Sequence, residues 1–203
     1  MTEAPPAVIL AGGQSSRMGG GDKVLLDLNG RPLLAHVIAR LRPQAGPLAL
    51  SANGDPARFA GFGLPVLADS LPDFPGPLAG ILAGMDWAAG LGADAVLVAA
   101  GDTPFLPLDL VEKLRAAAAP SGMALAANRE SDGSMRLHPT FGLWPLRLRP
   151  ALRAALLAGD RRIRAFTARH DAATALFNAD TEAFFNVNTP EDLARAATIQ
   201  ALG

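Results

Sequence analysis

The sequence predicts an α/β fold in which helices cover both faces of a mostly parallel sheet. Short, continuous apolar runs such as AVILA (7–11) and AVLVAA (95–100) are typical of strands buried on both faces. Each run ends at glycine or a polar residue, and segments with helical spacing of apolar residues follow at 33–41 and 108–119. This recurrence of strand, turn and helix predicts parallel strands with ligands bound at their carboxyl ends.

The same patterns place the remaining elements along the chain. Pro32 is expected at the first position of the helix 33–41, and Thr189 and Pro190 are expected to cap and begin the closing helix. No internal repeat and no dividing linker is found, so residues 1–203 are predicted to form a single domain. Strands are predicted at 7–11, 47–53, 64–69, 95–102, 123–127, 138–144 and 174–178, and helices at 33–41, 77–89, 108–119, 146–158, 160–168 and 190–200.

Composition excludes several classes of function. The 203 residues are 50% hydrophobic, which suits one well-filled core. Because 18 Lys and Arg oppose 19 Asp and Glu, no broad positive field exists to attract nucleic acid or an anionic membrane. The absence of cysteine excludes disulfides, thiolate metal sites and a cysteine nucleophile. The first residues, MTEAPPAVILAGG, carry no basic leader and no long apolar segment, so we expect a cytoplasmic protein.

The stretch LAGGQSSRMGGGDK (10–23) directly follows the first predicted strand. It matches neither the Walker phosphate loop, whose lysine follows glycine, nor the G-x-G-x-x-G dinucleotide fingerprint. Its glycines allow backbone N–H groups to approach a ligand closely, while Arg17 and Lys23 add positive charge. These properties predict a polyphosphate site. The alternative is a flexible surface loop whose charges are solvated.

A second polar turn, GDTPF (101–105), ends the buried strand at 95–102. Asp102 has a structural explanation, as a helix cap or in an Asx turn. It also suits Mg²⁺ bound to a nucleoside triphosphate, which takes one or two protein carboxylates together with phosphates and water. The position of Asp102 at the same sheet edge as the glycine-rich loop favours the second interpretation.

Motifs in order along nearly the whole chain resemble those of the molybdenum cofactor guanylyltransferases, the MobA family, within the nucleotidyltransferase superfamily. The opening motif is common to the superfamily, whereas DFPGPLAG and NVNTPEDL are more particular to the family. The spacing between RMG and DK varies among relatives and includes two extra glycines in this chain. The motifs are LAGGQSSRMGGGDK, SAN (51–53), ADSLPDFPGPLAG (68–80), GDTPF, HPT (138–140), GDRR (159–162) and NVNTPEDL (186–193).

The resemblance implies a Rossmann-like, three-layer α/β/α fold and transfer of GMP from GTP to molybdenum-molybdopterin. The products would be the molybdopterin guanine dinucleotide cofactor and pyrophosphate. A nucleotide-binding half at about 1–105 and a pterin side at about 106–203 are implied, as are other cofactor-biosynthesis proteins and acceptor molybdoenzymes or their chaperones as partners. Alternatives are a CTP-dependent molybdopterin cytidylyltransferase, another nucleotidyltransferase, or a non-catalytic nucleotide-binding scaffold.

The resemblance also implies roles for individual residues. Arg17, Lys23 and Asp102 would be catalytic, with Asp102 as the Mg²⁺ ligand, and the backbone near 10–12 and 77–80 would help to select guanine. GTP would contact Leu10, Ala11, Gly12, Lys23, Asn53, Asp69, Pro77, Leu78 and Asp102. Molybdopterin would contact Arg17, Arg161, Arg162, Asn186 and Asn188.

The residues expected near the pterin also have structural interpretations. Arg161 and Arg162 suit the solvated face of a helix, and Asn186 and Asn188 suit turns before the last helix. Two residues apart on an extended segment, the asparagines would point the same way and offer amide groups to a pterin edge. His138 precedes a proline in a shared motif and is a candidate substrate contact, whereas His36 and His170 suit structural or solvated positions.

Overall fold

A seven-stranded sheet forms the middle layer of the structure, a computed structural model that describes residues 3–12, 22–71, 76–119, 121–130, 132–177 and 182–202. The strand order is β5-β4-β1-β6-β8-β7-β9, and only β8 runs antiparallel to its neighbours in this sheet. Its strands are β1 (Ala7–Leu10), β4 (Leu48–Ser51), β5 (Val66–Leu67), β6 (Ala95–Ala100), β7 (Ala124–Arg129), β8 (Met135–Pro145) and β9 (Ala173–Phe177), and a separate hairpin pairs β2 (Asp27–Leu28) with β3 (Arg31–Pro32).

Helices cover both faces of this sheet, as predicted. Successive side chains of β1 point to opposite faces of the sheet, so Ala7 and Ile9 lie in one apolar cluster and Val8 lies in the other. The first cluster contains α1 and α3, and the second contains α2, α4 and α5. The helices are α1 (Leu33–Leu41), α2 (Pro77–Gly90), α3 (Leu110–Ala118), α4 (Arg149–Leu157), α5 (Ile163–Arg169) and α6 (Pro190–Leu202).

Helix α2 lies unusually close to the strands beneath it. A Cβ on Gly84 would lie 2.5 Å from Val8 Cγ1, and a Cβ on Gly80 would collide with Ser51 Oγ. Gly76, immediately before the helix, has φ 126°, which residues with a side chain rarely adopt. Glycines therefore bring the start of α2 to the carboxyl edge of the sheet.

Several boundaries differ from those predicted. Pro32 is extended and pairs with Asp27 at the end of β3, so α1 begins one residue later, at Leu33, whose N–H donates to the Leu26 carbonyl. The segment 146–158 begins as a 3-10 turn, Leu146–Leu148, before α4, and the predicted helix 160–168 is observed at Ile163–Arg169. The strand predicted at 138–144 is observed as the longer β8, Met135–Pro145. In the described part of the chain, no helix is both long and apolar enough to cross a membrane.

Candidate active site

The carboxyl ends of four parallel strands meet along one edge of a cleft of about 420 Å³. Its lining includes Gly12 after β1, Asn53 after β4, Asp69 after β5 and Asp102 after β6. Parallel strands place the residues that follow them at the same sheet edge, which is why motifs far apart in sequence converge here. The remaining lining residues are Leu10, Ser51, Ala52, Gly76, Pro77, Gly80, Ala100, Thr140 and Asn186.

Lys23 lies at the centre of a polar cluster beside this cleft. Its ammonium forms an ion pair with Asp102 and donates to Asn188 Oδ1 at 2.7 Å and Asn186 Oδ1 at 3.3 Å. The side chains of Lys23 and Asp102 are only 12% and 17% exposed, so water screens the pair incompletely. We call Lys23, Asp102, Asn186 and Asn188 the lysine cluster.

Backbone contacts hold the two asparagines in place. Val187 N donates to the Asp102 carbonyl at 3.0 Å, and the Val187 side chain is fully buried between the two exposed asparagines. Asp192 Oδ2 accepts from Asn188 N at 2.9 Å and Thr189 N at 3.0 Å, while Thr189 Oγ1 accepts from Asp192 N. This reciprocal cap confirms the predicted start of α6 and holds the backbone of Asn188 in place.

Asn53 and Asp69 form a second polar pair in the cleft. Asn53 Nδ2 donates to Asp69 Oδ2 at 2.7 Å, and Asp69 N donates to Asn53 Oδ1 at 2.9 Å. The nearby Arg58, which no sequence pattern singled out, donates to the Asn53 carbonyl and forms an ion pair with Asp22 at 2.6 Å. Arg58 thus connects the residue before Lys23 to the loop after β4; an arginine inside a short 3-10 turn gave no signal of this contact.

Other predicted site residues occupy different surroundings. Ala11 and Leu78 have buried side chains that do not line the cleft, so a ligand would reach only their backbone. Arg161 and Arg162 are exposed just before α5 and line neither this cleft nor a second cavity beside it. Arg17 lies outside the described residues.

The oxygen atoms around Lys23 suit a hard cation such as Mg²⁺. Asp102 supplies a carboxylate, and Asn186 and Asn188 supply amide oxygens that already surround one positive charge. Among the described residues no group of three or more histidine, cysteine or acidic side chains gathers to hold a metal. A metal at Asp102 would therefore take most of its remaining ligands from a bound nucleotide and water.

A second cavity of about 510 Å³ lies beside the cleft and also includes Asn186 in its lining. His138 on β8 is half-buried there, with Nε2 2.5 Å from Asn128 Oδ1 on β7. Burial and, to a lesser extent, the positive charge of Arg136 lower the pKa of His138 to about 4. The imidazole is therefore neutral at pH 7.

Residues 7–174 match the family model described as a MobA-like NTP transferase domain. The chain is 54% identical over 200 residues to the molybdenum cofactor guanylyltransferase of Rhodopseudomonas palustris (strain BisB5), covering 97% of this chain and 94% of that protein. It is likewise 54% identical over 192 residues to the molybdenum cofactor guanylyltransferase of Cereibacter sphaeroides, covering 95% of each.

Two solved structures share the fold at lower identity. The molybdopterin-guanine dinucleotide biosynthesis protein A from Archaeoglobus fulgidus is 24% identical with a TM-score of 0.72, covering 98% of this chain and all of that one. The 4-diphosphocytidyl-2C-methyl-D-erythritolsynthase from Anaerococcus prevotii is 14% identical with a TM-score of 0.76, covering 98% of this chain and 96% of that one. These similarities confirm the predicted three-layer α/β architecture.

Proposed function

The chain belongs to the MobA-like NTP transferase family, and on that premise we propose that it transfers GMP from GTP to molybdenum-molybdopterin. The products are the molybdopterin guanine dinucleotide cofactor and pyrophosphate. The observation that carries this proposal is the lysine cluster at the carboxyl edge of the sheet, in a chain half identical to guanylyltransferases over nearly its full length. It is a nucleotidyltransferase of molybdenum cofactor biosynthesis.

GTP occupies the cleft in this proposal. The pair Asn53 and Asp69 meets the guanosine, and backbone groups at 10–12 and 77–78 help to select guanine. Gly80 allows the start of α2 to pack directly on Ser51 at that edge, because a Cβ there would collide with Ser51 Oγ. Lys23 and Arg17 meet the phosphates and lower the repulsion between the two anionic substrates.

The terminal phosphate of molybdopterin is the nucleophile. One of its oxygens forms a bond to the α-phosphorus of GTP, while the bond from that phosphorus to the β-phosphate oxygen breaks and pyrophosphate departs. A phosphate monoester has a second pKa of about 6, so it is largely ionised at neutral pH and needs no general base. The protein acts by positioning the two groups in line and stabilising negative charge on the departing oxygen.

Asp102 is the proposed protein ligand of Mg²⁺, which when bound neutralises phosphate charge. The family generally uses a divalent metal, and a carboxylate beside two amide oxygens suits one. Lys23 pairs with Asp102, and its long, flexible side chain can also turn its ammonium toward phosphates in the cleft. Asn186 and Asn188 orient that ammonium and meet the molybdopterin where it approaches GTP.

Arg17 and either Arg161 or Arg162 are further proposed contacts of molybdopterin, supported by the resemblance. We also propose that the protein works in the cytoplasm, where GTP is available. It would receive molybdopterin from other cofactor-biosynthesis proteins and deliver its product to molybdoenzymes or their chaperones.

Turnover with each nucleoside triphosphate tests the proposed function. We expect pyrophosphate release with Mg²⁺, molybdenum-molybdopterin and GTP, and little with CTP, ATP or UTP. A thermal shift series with the same nucleotides and Mg²⁺ provides an independent measurement, since a ligand that binds only the folded state raises its apparent stability. Turnover with CTP but not GTP would contradict the proposed function.

A further inference from the structure

Arg58 does not line the nucleotide cleft, yet its guanidinium contacts the two loops that carry polar groups of the site. Its Nη2 donates to the Asn53 carbonyl at 2.5 Å, its Nη1 donates to the Asp55 carbonyl at 2.7 Å, and its Nε lies 2.6 Å from Asp22 Oδ2. The Nε contact is an ion pair rather than a directed hydrogen bond. Because each nitrogen already contacts a protein group, Arg58 is a positioning residue and not a contact of GTP.

The loop that follows β4 is built around this guanidinium. Gly54 has φ 86°, and a Cβ there would lie 3.1 Å from Arg58 Nη1, so glycine permits the backbone turn and leaves room for the arginine. Asp55 Oδ1 accepts from Ala57 N at 2.9 Å, which caps the 3-10 turn that carries Arg58. The guanidinium carbon lies 4.7 Å from the centre of the fully buried Phe59 ring, a cation–π contact. These local contacts fix the orientation of the Arg58 guanidinium.

Asp22 connects this loop to Lys23. It precedes the 3-10 turn Lys23–Leu25, a position where aspartate often caps a helix, yet its carboxylate makes no cap hydrogen bond. The Asp22 carbonyl accepts from Leu25 N at 3.0 Å, so the turn begins without help from the side chain. The carboxylate pairs with Arg58 instead, and it is only 19% exposed, so water screens the ion pair incompletely. The backbone immediately before Lys23 is thereby attached to the loop after β4.

We propose that the ion pair of Arg58 with Asp22 couples guanosine recognition to the placement of Lys23 on the phosphates of GTP. On one side, Arg58 holds the backbone of Asn53, whose side chain exchanges two hydrogen bonds with Asp69. On the other side, Arg58 holds Asp22, the neighbour of Lys23. One connected unit therefore meets both ends of the nucleotide and keeps its α-phosphorus in line with the attacking phosphate. This coupling rests on the proposed function and adds two positioning residues to it.

Steady-state kinetics of single variants test this coupling. Asp22→Ala removes the ion pair but leaves the hydrogen bond from Arg58 to Asn53, so kcat should fall about tenfold or more while the KM for GTP changes less than about twofold. Arg58→Met removes both contacts, so it should lower kcat to a similar extent and also raise the KM for GTP. Arg58→Lys keeps the charge but lacks the planar fork that spans two carbonyls, so it should recover only part of the loss in kcat.

A double-variant cycle distinguishes this coupling from a merely structural role. Since Arg58 acts through Lys23, adding Arg58→Met to Lys23→Met should lower kcat by less than about a further twofold. Arg42→Met is the matched control, because Arg42 is an exposed arginine at the end of α1 that does not line the cleft, and it should keep both kinetic constants. Urea denaturation shows that each variant is folded under the assay conditions, and Asp22→Ala carries the test if Arg58→Met is not.

An unchanged kcat in Asp22→Ala overturns the coupling. Losses that multiply in the double variant also overturn it, because they show that Arg58 and Lys23 act independently. If the unaltered protein shows no GTP-dependent turnover, the proposed function fails first. Turnover of the unaltered protein together with unaffected variants refutes only the coupling.

Discussion

Replacing Lys23 by methionine tests whether the lysine cluster acts on the bound phosphates. Methionine keeps most of the side-chain length but removes the ammonium that contacts Asp102, Asn186 and Asn188. Three oxygen-bearing side chains then face one another around an apolar group. We expect losses of both folding stability and catalysis.

The magnitudes follow from burial of the cluster. Because Lys23 and Asp102 are 12% and 17% exposed, losing the ammonium leaves Asp102 poorly solvated, at a cost of about 1–3 kcal/mol in the free energy of unfolding. Removing one group that stabilises charge in a transition state typically lowers kcat by about 10²–10³-fold. The expected decrease in turnover is therefore at least about a hundredfold at saturating GTP.

Urea denaturation and pyrophosphate release measure these two effects separately. Lys113→Met is the matched control, since Lys113 forms an ion pair with Asp109 at 2.7 Å on exposed side chains. That variant should lose less than about 1 kcal/mol of stability and keep its turnover. Turnover of Lys23→Met within about twofold of the unaltered protein would refute the phosphate role of Lys23.

Three further predictions concern other parts of the molecule. Gly84→Ala should destabilise the fold by about 1–3 kcal/mol, because its Cβ would meet Val8, whereas Gly90→Ala, with open space around it, should be neutral or stabilising in urea denaturation. The pKa of His138 is lowered to about 4, so as the pH falls the unfolded chain binds this proton before the folded protein does. The free energy of unfolding should therefore fall between about pH 6.5 and pH 4. His138→Gln should flatten this decline, and identical pH profiles of the variant and the unaltered protein would contradict the prediction. Asn53→Ala should raise the KM for GTP more than that for molybdopterin, and an equal rise in both would show that the pair with Asp69 is not specific to the nucleotide.

The sequence could predict the fold because apolar runs and helical spacing are local signals. AVILA and AVLVAA form the central strands and are buried apart from the half-buried Leu10 and Ala95, as their uninterrupted hydrophobicity indicates. Local patterns also identified β8 as a strand, yet its antiparallel direction depends on pairing with β6 and β7, which no short segment encodes. The prediction of Pro32 as the first helical residue was wrong for a similar reason, because Pro32 is extended and pairs with Asp27 in the β2–β3 hairpin.

The candidate site likewise contains residues that local patterns predict and contacts that depend on distant segments coming together. Asn53, Asp69 and Asp102 are the last residues of predicted parallel strands, so their meeting at one sheet edge was predictable. The contacts of Lys23 with Asn186 and Asn188 span more than 160 residues of sequence, and they depend on the tether from Val187 to Asp102. The second cavity depends on where the β7–β8 hairpin and the segment before α6 come together, which neither segment encodes alone.

Isotope tracing of the transferred group tests the central claim most directly. With Mg²⁺, molybdenum-molybdopterin and GTP labelled with ³²P at the α-phosphate, the label should appear in the dinucleotide product, and label at the γ-phosphate should appear in pyrophosphate. Label released as GMP or orthophosphate without a labelled dinucleotide would contradict guanylyl transfer. Efficient labelling of the product from CTP instead of GTP would contradict the assigned nucleotide.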